Sequence, residues 1–347
     1  MKRTIALILS VIMVMCFLTA CGSSNQNTAA ANTDNTDAAA DTADNSVVLK
    51  LGHAHDSSSV YQVAAQAAAD YAYEKSGGTI KIEIYSDSSI GNEPELLEGL
   101  QLGTIDMAIV APGNMNEYCQ TLKLFLLPYL FENDEHVQRV LESEFGDKIL
   151  AAVEEDLGFH ALAIGQSGFR QTMNTVRPIY TPDDLKNIRI RVPNWPGVIS
   201  AFETWGAVPQ VLAYTEVYTS LSGGVIQGVE NPLAVLVSDH FYEVCNYLSI
   251  TNHVYDCTFF CCSNKAFDKL SSEQQQILKE AFEYASEVSF EFVANEMDSY
   301  IKTMEDNGVE VNYIEDYAPF ADSIQFIYDD YKDVVDPELI QGILSLK

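Results

Sequence analysis

One helical pattern in this chain is too long for an ordinary small domain. Residues 271–307 run without proline or glycine until Gly308 closes the segment. Ser271 fits the N-cap, and Gln274 stands where a capping-box partner should. At ~1.5 Å per residue such a helix spans roughly 50 Å. No single small lobe needs that length, so the pattern implies a spine running behind two lobes. The chain's 347 residues agree, since they exceed one ordinary core and suggest about two domains.

The rest of the chain supplies those lobes. "VVLKLGHAH" alternates as a strand and breaks at Gly52. Residues 57–78 read as a helix that Asp56 or Ser57 can cap and Gly77-Gly78 stops. "TIKIEIYSD", "EPELLEGLQLG" and "TIDMAIVAP" follow as strand, helix and buried strand. This β-α-β-α-β order predicts an α/β fold with a largely parallel sheet. Ligands sit at the carboxyl ends of strands in such folds, here residues 53–57, 87–93 and 111–114. The pattern restarts with strands in "FHALAIGQSG" and "IRIRVP", a helix in "PGVISAFETWG", and a short helix, glycine pair and strand in "EVYTSLSGGVIQGVENP". No flexible linker separates the halves, which predicts lobes sharing crossing strands. No internal repeat is present.

The first residues stand apart. Met1-Lys2-Arg3 precede an apolar run ending at Ala20, the layout of an export signal. "LTAC" followed by Gly22 looks like a bacterial lipobox, with Cys21 lipidated and becoming the new N-terminus. Two acyl chains would hold the protein on the outer face of a membrane; a retained membrane anchor is the alternative. Residues 22–46 are built of Gly, Ser, Asn, Gln, Thr, Ala and Asp, with no aromatic and no basic residue, and form an expected disordered tether.

Loss of Lys2 and Arg3 would leave 17 basic against 50 acidic residues, a net charge of −33. So acidic a surface argues against nucleic acid as a partner and suits an extracytoplasmic, monomeric protein. Seven cysteines are present. Without Cys16 and Cys21 five remain, an odd number that leaves a free thiol. "CTFFCC" matches no zinc spacing and reads as a buried strand in which cysteine acts as a small hydrophobe. No metal or other cofactor is expected.

Arginine is scarce and crowded. Four of the six, Arg170, Arg177, Arg189 and Arg191, fall within residues 170–191. Arg189 and Arg191 share one strand face, while Ile188, Ile190 and Val192 point to the core. Pro193 ends that strand, so Arg191 sits at a ligand-facing end; Arg170 follows "GQSGF", read as another strand end. A guanidinium clamps a carboxylate through two parallel N–H donors. Salt bridges to acids such as Asp183 and Asp184 are the competing reading. Asn231 in "QGVENP" is held extended by the following proline and could orient a carboxylate or hydroxyl. The alternative is a turn asparagine bonded to its own backbone. His53 and His55 could form half a metal site, but no partner is placed by sequence; loop packing or hydrogen bonding to a ligand is preferred. Trp195 and Tyr214 could stack on an apolar sugar face or simply fill the core.

"SGFRQTMNTVRPIYTPDDLKNIRIRVPNW", "GAVPQVLAYTEVYTSLSGGVIQGVENPL", "YEVCNYLSITNH", "IGNEPELLEGLQLGTIDMAI" and "LFLLPYLF" together resemble the DctP-type solute-binding proteins of TRAP (tripartite ATP-independent periplasmic) transporters. The resemblance covers nearly everything after residue 47. It implies a two-lobed, periplasmic-binding-protein-like α/β fold with crossing strands, a long spine helix, and closure on an organic acid. The expected division is residues 1–20 signal, 21–46 tether, 47–167 plus 257–296 lobe I, and 168–256 plus 297–347 lobe II. By resemblance, Arg191 in "IRVP" is the principal carboxylate-binding arginine, Arg170 in "GFRQT" the second, and Asn231 in "ENP" the cleft asparagine. Glu93 and Tyr214 fall where members place a polar and an aromatic contact. His55, Asn194 and Trp195 complete the candidate set. Arg189 is left out as merely basic, and Arg177 as structural. The loop "HAHDSS", Ala111 with Pro112, and Trp195 depart from acidic-sugar binders and leave ligand identity open.

The expected function is capture of a small organic acid, leaning to a uronate or aldonate, and delivery to ion-gradient-driven TRAP membrane subunits. A C4-dicarboxylate, 2-oxo acid or aromatic acid stays open, as does a sensor partner that presents its ligand. An anchored hydrolase is disfavoured because "GQSGF" lacks the final glycine of a nucleophile elbow. No nucleotide-binding loop occurs.

Overall fold

The computed structural model describes residues 46–347. The export signal, Cys21 and nearly all of the expected tether lie outside the described residues. Within them the strands are β1 Val47–Gly52, β2 Ile80–Tyr85, β3 Met107–Val110, β4 His160–Asn174, β5 Arg189–Val192, β6 Val208–Val211, β7 Gly228–Pro232, β8 Tyr247–Ile250, β9 Tyr255–Cys262 and β10 Glu310–Tyr313.

The strand order is β2-β1-β3-β9-β4-β7-β5-β6, with β8 joining β4 to β10. β1 is parallel to β2 and β3, as the β-α-β-α-β pattern predicts. β5, β6 and β7 form a second parallel group. β4 and β9 run antiparallel to their neighbours and join the groups. β4 is the crossing strand. Its residues from His160 to Phe169 pair with β9, and those from Arg170 to Asn174 pair with β7, joined by β8 from Thr172. The sequence pattern suggested that this strand ends near Gly168. It continues to Asn174, so Arg170 lies inside the crossing strand and not at a strand end. Gly168 adopts φ +103° at a break in the β4–β9 register, which masks the alternation there.

The long helix spans Ser272–Asp306, capped by Ser271 with the expected Gln274 capping box. Leu278, Ala281, Phe282 and Ala285 pack in one core with Leu51, Ile82 and Ile109 of β1, β2 and β3. Tyr300 and Met304, further along, join a second core with Val229 of β7 and Leu248 of β8. One helix therefore serves both lobes. Between its two packing zones, Ser286 Oγ donates to Ile164 O (2.5 Å) and Ser289 Oγ accepts from Gln166 N (2.8 Å). These bonds tie the helix to β4 next to its bulge.

The first helix, Val60–Lys75, is capped by Ser59 and not by Asp56 or Ser57. Asp56 instead accepts from Ser58 N and Oγ, forming the turn before the cap. The C-terminal residues pack against the helix Asp134–Leu141. His136 Nε2 meets Ile343 O (2.8 Å), and Arg139 Nε donates to Leu346 O (2.9 Å). Cys119, Cys245, Cys257, Cys261 and Cys262 are all free and buried. Every β9 residue is buried, three of these cysteines among them. Among the described residues no helix is long and apolar enough to cross a membrane, and no cluster of His, Cys, Asp or Glu could hold a metal ion.

Candidate functional site

A cavity of about 370 Å³ lies between the two parallel strand groups, within the size range of small-molecule sites. The segments after β1, β2 and β3 each reach it, through His55, Glu93 and Asn114 respectively. The other wall comes from Arg191 at the end of β5 and the segments beyond it. Arg191, Arg170, Asn231, Trp195, Tyr214, Glu93, His55 and Asn194 all line this one cavity. His53 does not; it is buried behind the loop, bonded to Gln62 Oε1 at 3.0 Å, and burial pulls it down to about 4.

Arg191 is 6% exposed. Its Nε and Nη2 donate to Leu212 O at 3.2 and 3.1 Å, and its guanidinium lies 5.6 Å from the Tyr214 ring centre. Among the described residues no carboxylate stands within ion-pair distance of it. Burial pulls this arginine down to about 10, against the pull of Glu230 and with the like charge of Arg170 adding to the drop. Arg189, two residues earlier on the same strand, is exposed and bonds the carbonyls of Val225 and Gly224. Arg177 bonds the carbonyls of Asp184 and Lys186, a structural role.

Arg170 is also buried but fully accompanied. Nε and Nη2 grip Glu230 at 2.5 and 2.9 Å, Nη2 also reaches Glu230 O, and Nη1 donates to Asp256 Oδ2. His253 Nε2 meets the same Glu230 carboxylate at 3.0 Å. Burial opposes the charge of Glu230, yet Arg170 and His253 hold its carboxyl below the usual range. Arg170 therefore differs from the expected equal partner of Arg191. Its charge is neutralised within the protein, and its guanidinium carbon lies over the Trp195 ring, 4.6 Å from the ring centre.

Trp195 in turn crosses to the other wall. A Cβ placed on Gly113 would stand 1.6 Å from the indole Nε1, so only glycine admits the ring there. Tyr214 Oη donates to Asp239 Oδ2. Glu93 begins the helix Glu93–Leu102 behind an Asn92–Glu95 capping box. Its Oε2 accepts from Ala111 N at 3.1 Å and from Asn114 Nδ2.

His55 stands between two acids, 3.9 Å from Glu93 and 3.8 Å from Asp239. Its ring centre lies 4.1 Å from that of Tyr61, with the planes tilted by 41°, and meets Tyr214 edge-on at 5.1 Å. Burial disfavours its charge, but Asp239 and Glu93 outweigh that and raise His55 above its ordinary value. A raised histidine stabilises the fold below pH ~6.5 and loses that contribution as pH climbs through the folded-state value. The melting-temperature difference between the parent protein and His55→Gln should therefore be greatest near pH 6 and shrink toward pH 9. A constant difference would mean that the imidazolium contributes nothing.

Asp256, Glu230, His253 and Ser167 escaped the sequence reading. A signal was present for two of them: Asp256 is the one acid in the apolar run "YDCTFFCC", and Glu230 precedes Asn231 in "ENP". A lone acid within a buried strand is rare without a specific partner.

The chain's similarities agree with this geometry. Residues 51–333 match the family model described as bacterial extracellular solute-binding protein, family 7, DctP. The 2,3-diketo-L-gulonate-binding periplasmic protein YiaO of Escherichia coli is 32% identical over 80% of this chain and 84% of its own length. A TRAP periplasmic solute-binding protein from Bordetella, whose ligand density was fitted as pantoate, is 35% identical. It superposes with a TM-score of 0.82 over 86% of this chain and 99% of its own. One from Chromohalobacter salexigens with bound D-glucuronate is 27% identical with the same TM-score, over 86% and 100% of the two chains. With its two-lobed fold and a family match over most of its length, the chain belongs to family 7 of the bacterial extracellular solute-binding proteins, the DctP family of TRAP transport.

Proposed function

We propose that this protein captures a small hydroxylated organic acid, a uronate or aldonate by preference, and seats its carboxylate on Arg191. The observation that carries this reading is the buried guanidinium without an acidic partner. An unpaired buried charge is costly, and Arg191 keeps donor sites beyond those engaged by Leu212. An arriving carboxylate would accept them in the forked geometry that guanidinium favours. Trp195, Tyr214, His55, Glu93, Asn194 and Asn231 then surround the ligand body. Arg170 acts from behind, orienting Trp195 and holding Glu230 and Asp256 in place. Diketogulonate, pantoate and glucuronate, the acids named for the three relatives above, are all monocarboxylates carrying further oxygen functions, which supports the same class here.

The lobes are residues 47–167 plus 257–296 and 168–256 plus 297–347, hinged where β4 changes partners. Closure expels water and strengthens the arginine–carboxylate attraction. The protein's own negative field repels anions, so affinity rests on local donors and not on steering. The protein works as a monomer outside the cytoplasm, held to the membrane by lipid on Cys21, and passes its ligand to TRAP membrane subunits. It catalyses no reaction. A thermal-shift screen of the purified protein against organic acids, neutral sugars and amino acids tests this. A hydroxylated monocarboxylate should raise the melting temperature by mass action; stabilisation by uncharged sugars or amino acids alone would refute it.

A further inference from the structure

Beside the β4 bulge that marks the crossing, two residues that line the cavity each carry a buried polar atom without a hydrogen-bond partner. Gln166 pairs with Cys257 and Gly168 with Asp256, so Ser167 is the extra residue between them. Such a bulge re-aims a side chain. Ser167 Oγ, on a residue 1% exposed, has no hydrogen-bond partner. Neither has Asp256 Oδ1, on a residue 3% exposed whose other oxygen accepts from Arg170. Both residues line the cavity. Buried polar atoms in native proteins are almost always satisfied, so this pair is set to bond something that enters.

The chemistry of that something is constrained. A carboxylate oxygen only accepts, and a serine hydroxyl can both donate and accept. The matching group on a ligand is a hydroxyl. A second ligand carboxylate would meet Asp256 and Glu93, two acids lining the same cavity. Glu93 cannot turn away, because its Oε2 is fixed by Ala111 N and Asn114. Nor can Asp256, held by Arg170.

We propose that Asp256, with Ser167, determines specificity by accepting a hydroxyl of the ligand and excluding dicarboxylates of the same length. The pair thus separates aldonates and uronates from aldarates and from acids such as succinate. This rests on the reading that Arg191 seats the first carboxylate.

Calorimetric titration with matched acids tests it: gluconate against glucarate, galactonate against galactarate, and threonate against tartrate. The parent protein should bind at least one monoacid ~30-fold or more tighter than its diacid, as like-charge juxtaposition in a closed site demands. Asp256→Asn puts an amide donor where the acceptor stood and should shrink that ratio to about threefold or less. Ser167→Ala leaves the Arg170 network intact, which guards against Asp256→Asn failing to fold. It should weaken the monoacid ~5- to 10-fold, the loss expected for one ligand hydroxyl left unpaired. Equal binding of diacid and monoacid by the parent, or unchanged monoacid affinity in Ser167→Ala, overturns the specificity proposal while leaving the Arg191 seat intact. Binding of neither class removes the seat itself, and this proposal with it.

Discussion

Arg191→Met should cost most of the acid affinity and, at the same time, raise the melting temperature of the ligand-free protein. The two effects share one cause. Arg191 is a buried cation that no acid of the described residues neutralises. Replacing buried charge by an apolar side chain of similar volume is often stabilising by ~1–4 kcal/mol. The partly compensating loss is the pair of bonds to Leu212 O, about 1 kcal/mol. A net rise of a few degrees is expected, at ~2 °C per kcal/mol for a large chain. Binding should fall by about a hundredfold or more, the ~3 kcal/mol typical of truncating one partner of a buried, hydrogen-bonded charge pair. Arg191→Lys should also lose most of the affinity, since an ammonium cannot reproduce the fork. Differential scanning fluorimetry and calorimetry on the same samples check both halves. Unchanged affinity would move Arg191 out of the site.

Arg170→Met should do the opposite and act first on stability. Removing this guanidinium leaves Glu230 with only His253 and Asp256 with no bonded partner, both inside the protein. Breaking a buried ion pair from one side costs ~3–5 kcal/mol, or about 6–10 °C at the scale above. Adding Glu230→Gln to Arg170→Met should recover part of the loss, because it removes one of the stranded charges. Additive destabilisation by the two changes would mean that the pair is not coupled. A clamp that acts mainly on ligand would instead lose affinity with its melting temperature preserved.

The contrast between these arginines explains what could be read from the chain. Arg191 was legible because strand alternation and the following proline place it at a strand's end. Arg170 looked equivalent by type and neighbourhood. Its partners, however, come from β7 and β9, 60 and 86 residues away, and local pattern carries no record of such pairing. The long helix was legible because its caps and period are local properties. β6 was not, since "VPQV" is a short, partly exposed edge strand with a proline. The β4 bulge was hidden for a related reason: a single extra residue breaks the period-2 signal where the strand changes lobes. The site residues were named with help from the family resemblance, and the cavity collects all eight. The acids behind them were not named, because their role depends on which charges the fold brings alongside.

The five buried thiols turn the folded body into a reporter of its own opening. Burial pushes Cys119 up to about 11 and Cys245 and Cys262 to about 12, so almost no thiolate is present to attack a reagent. They also sit in different neighbourhoods: Cys119 and Cys245 belong to separate cores, and the other three lie along β9. Alkylation followed by peptide mass analysis would therefore time, segment by segment, which part of the protein breathes and which part a bound ligand keeps shut.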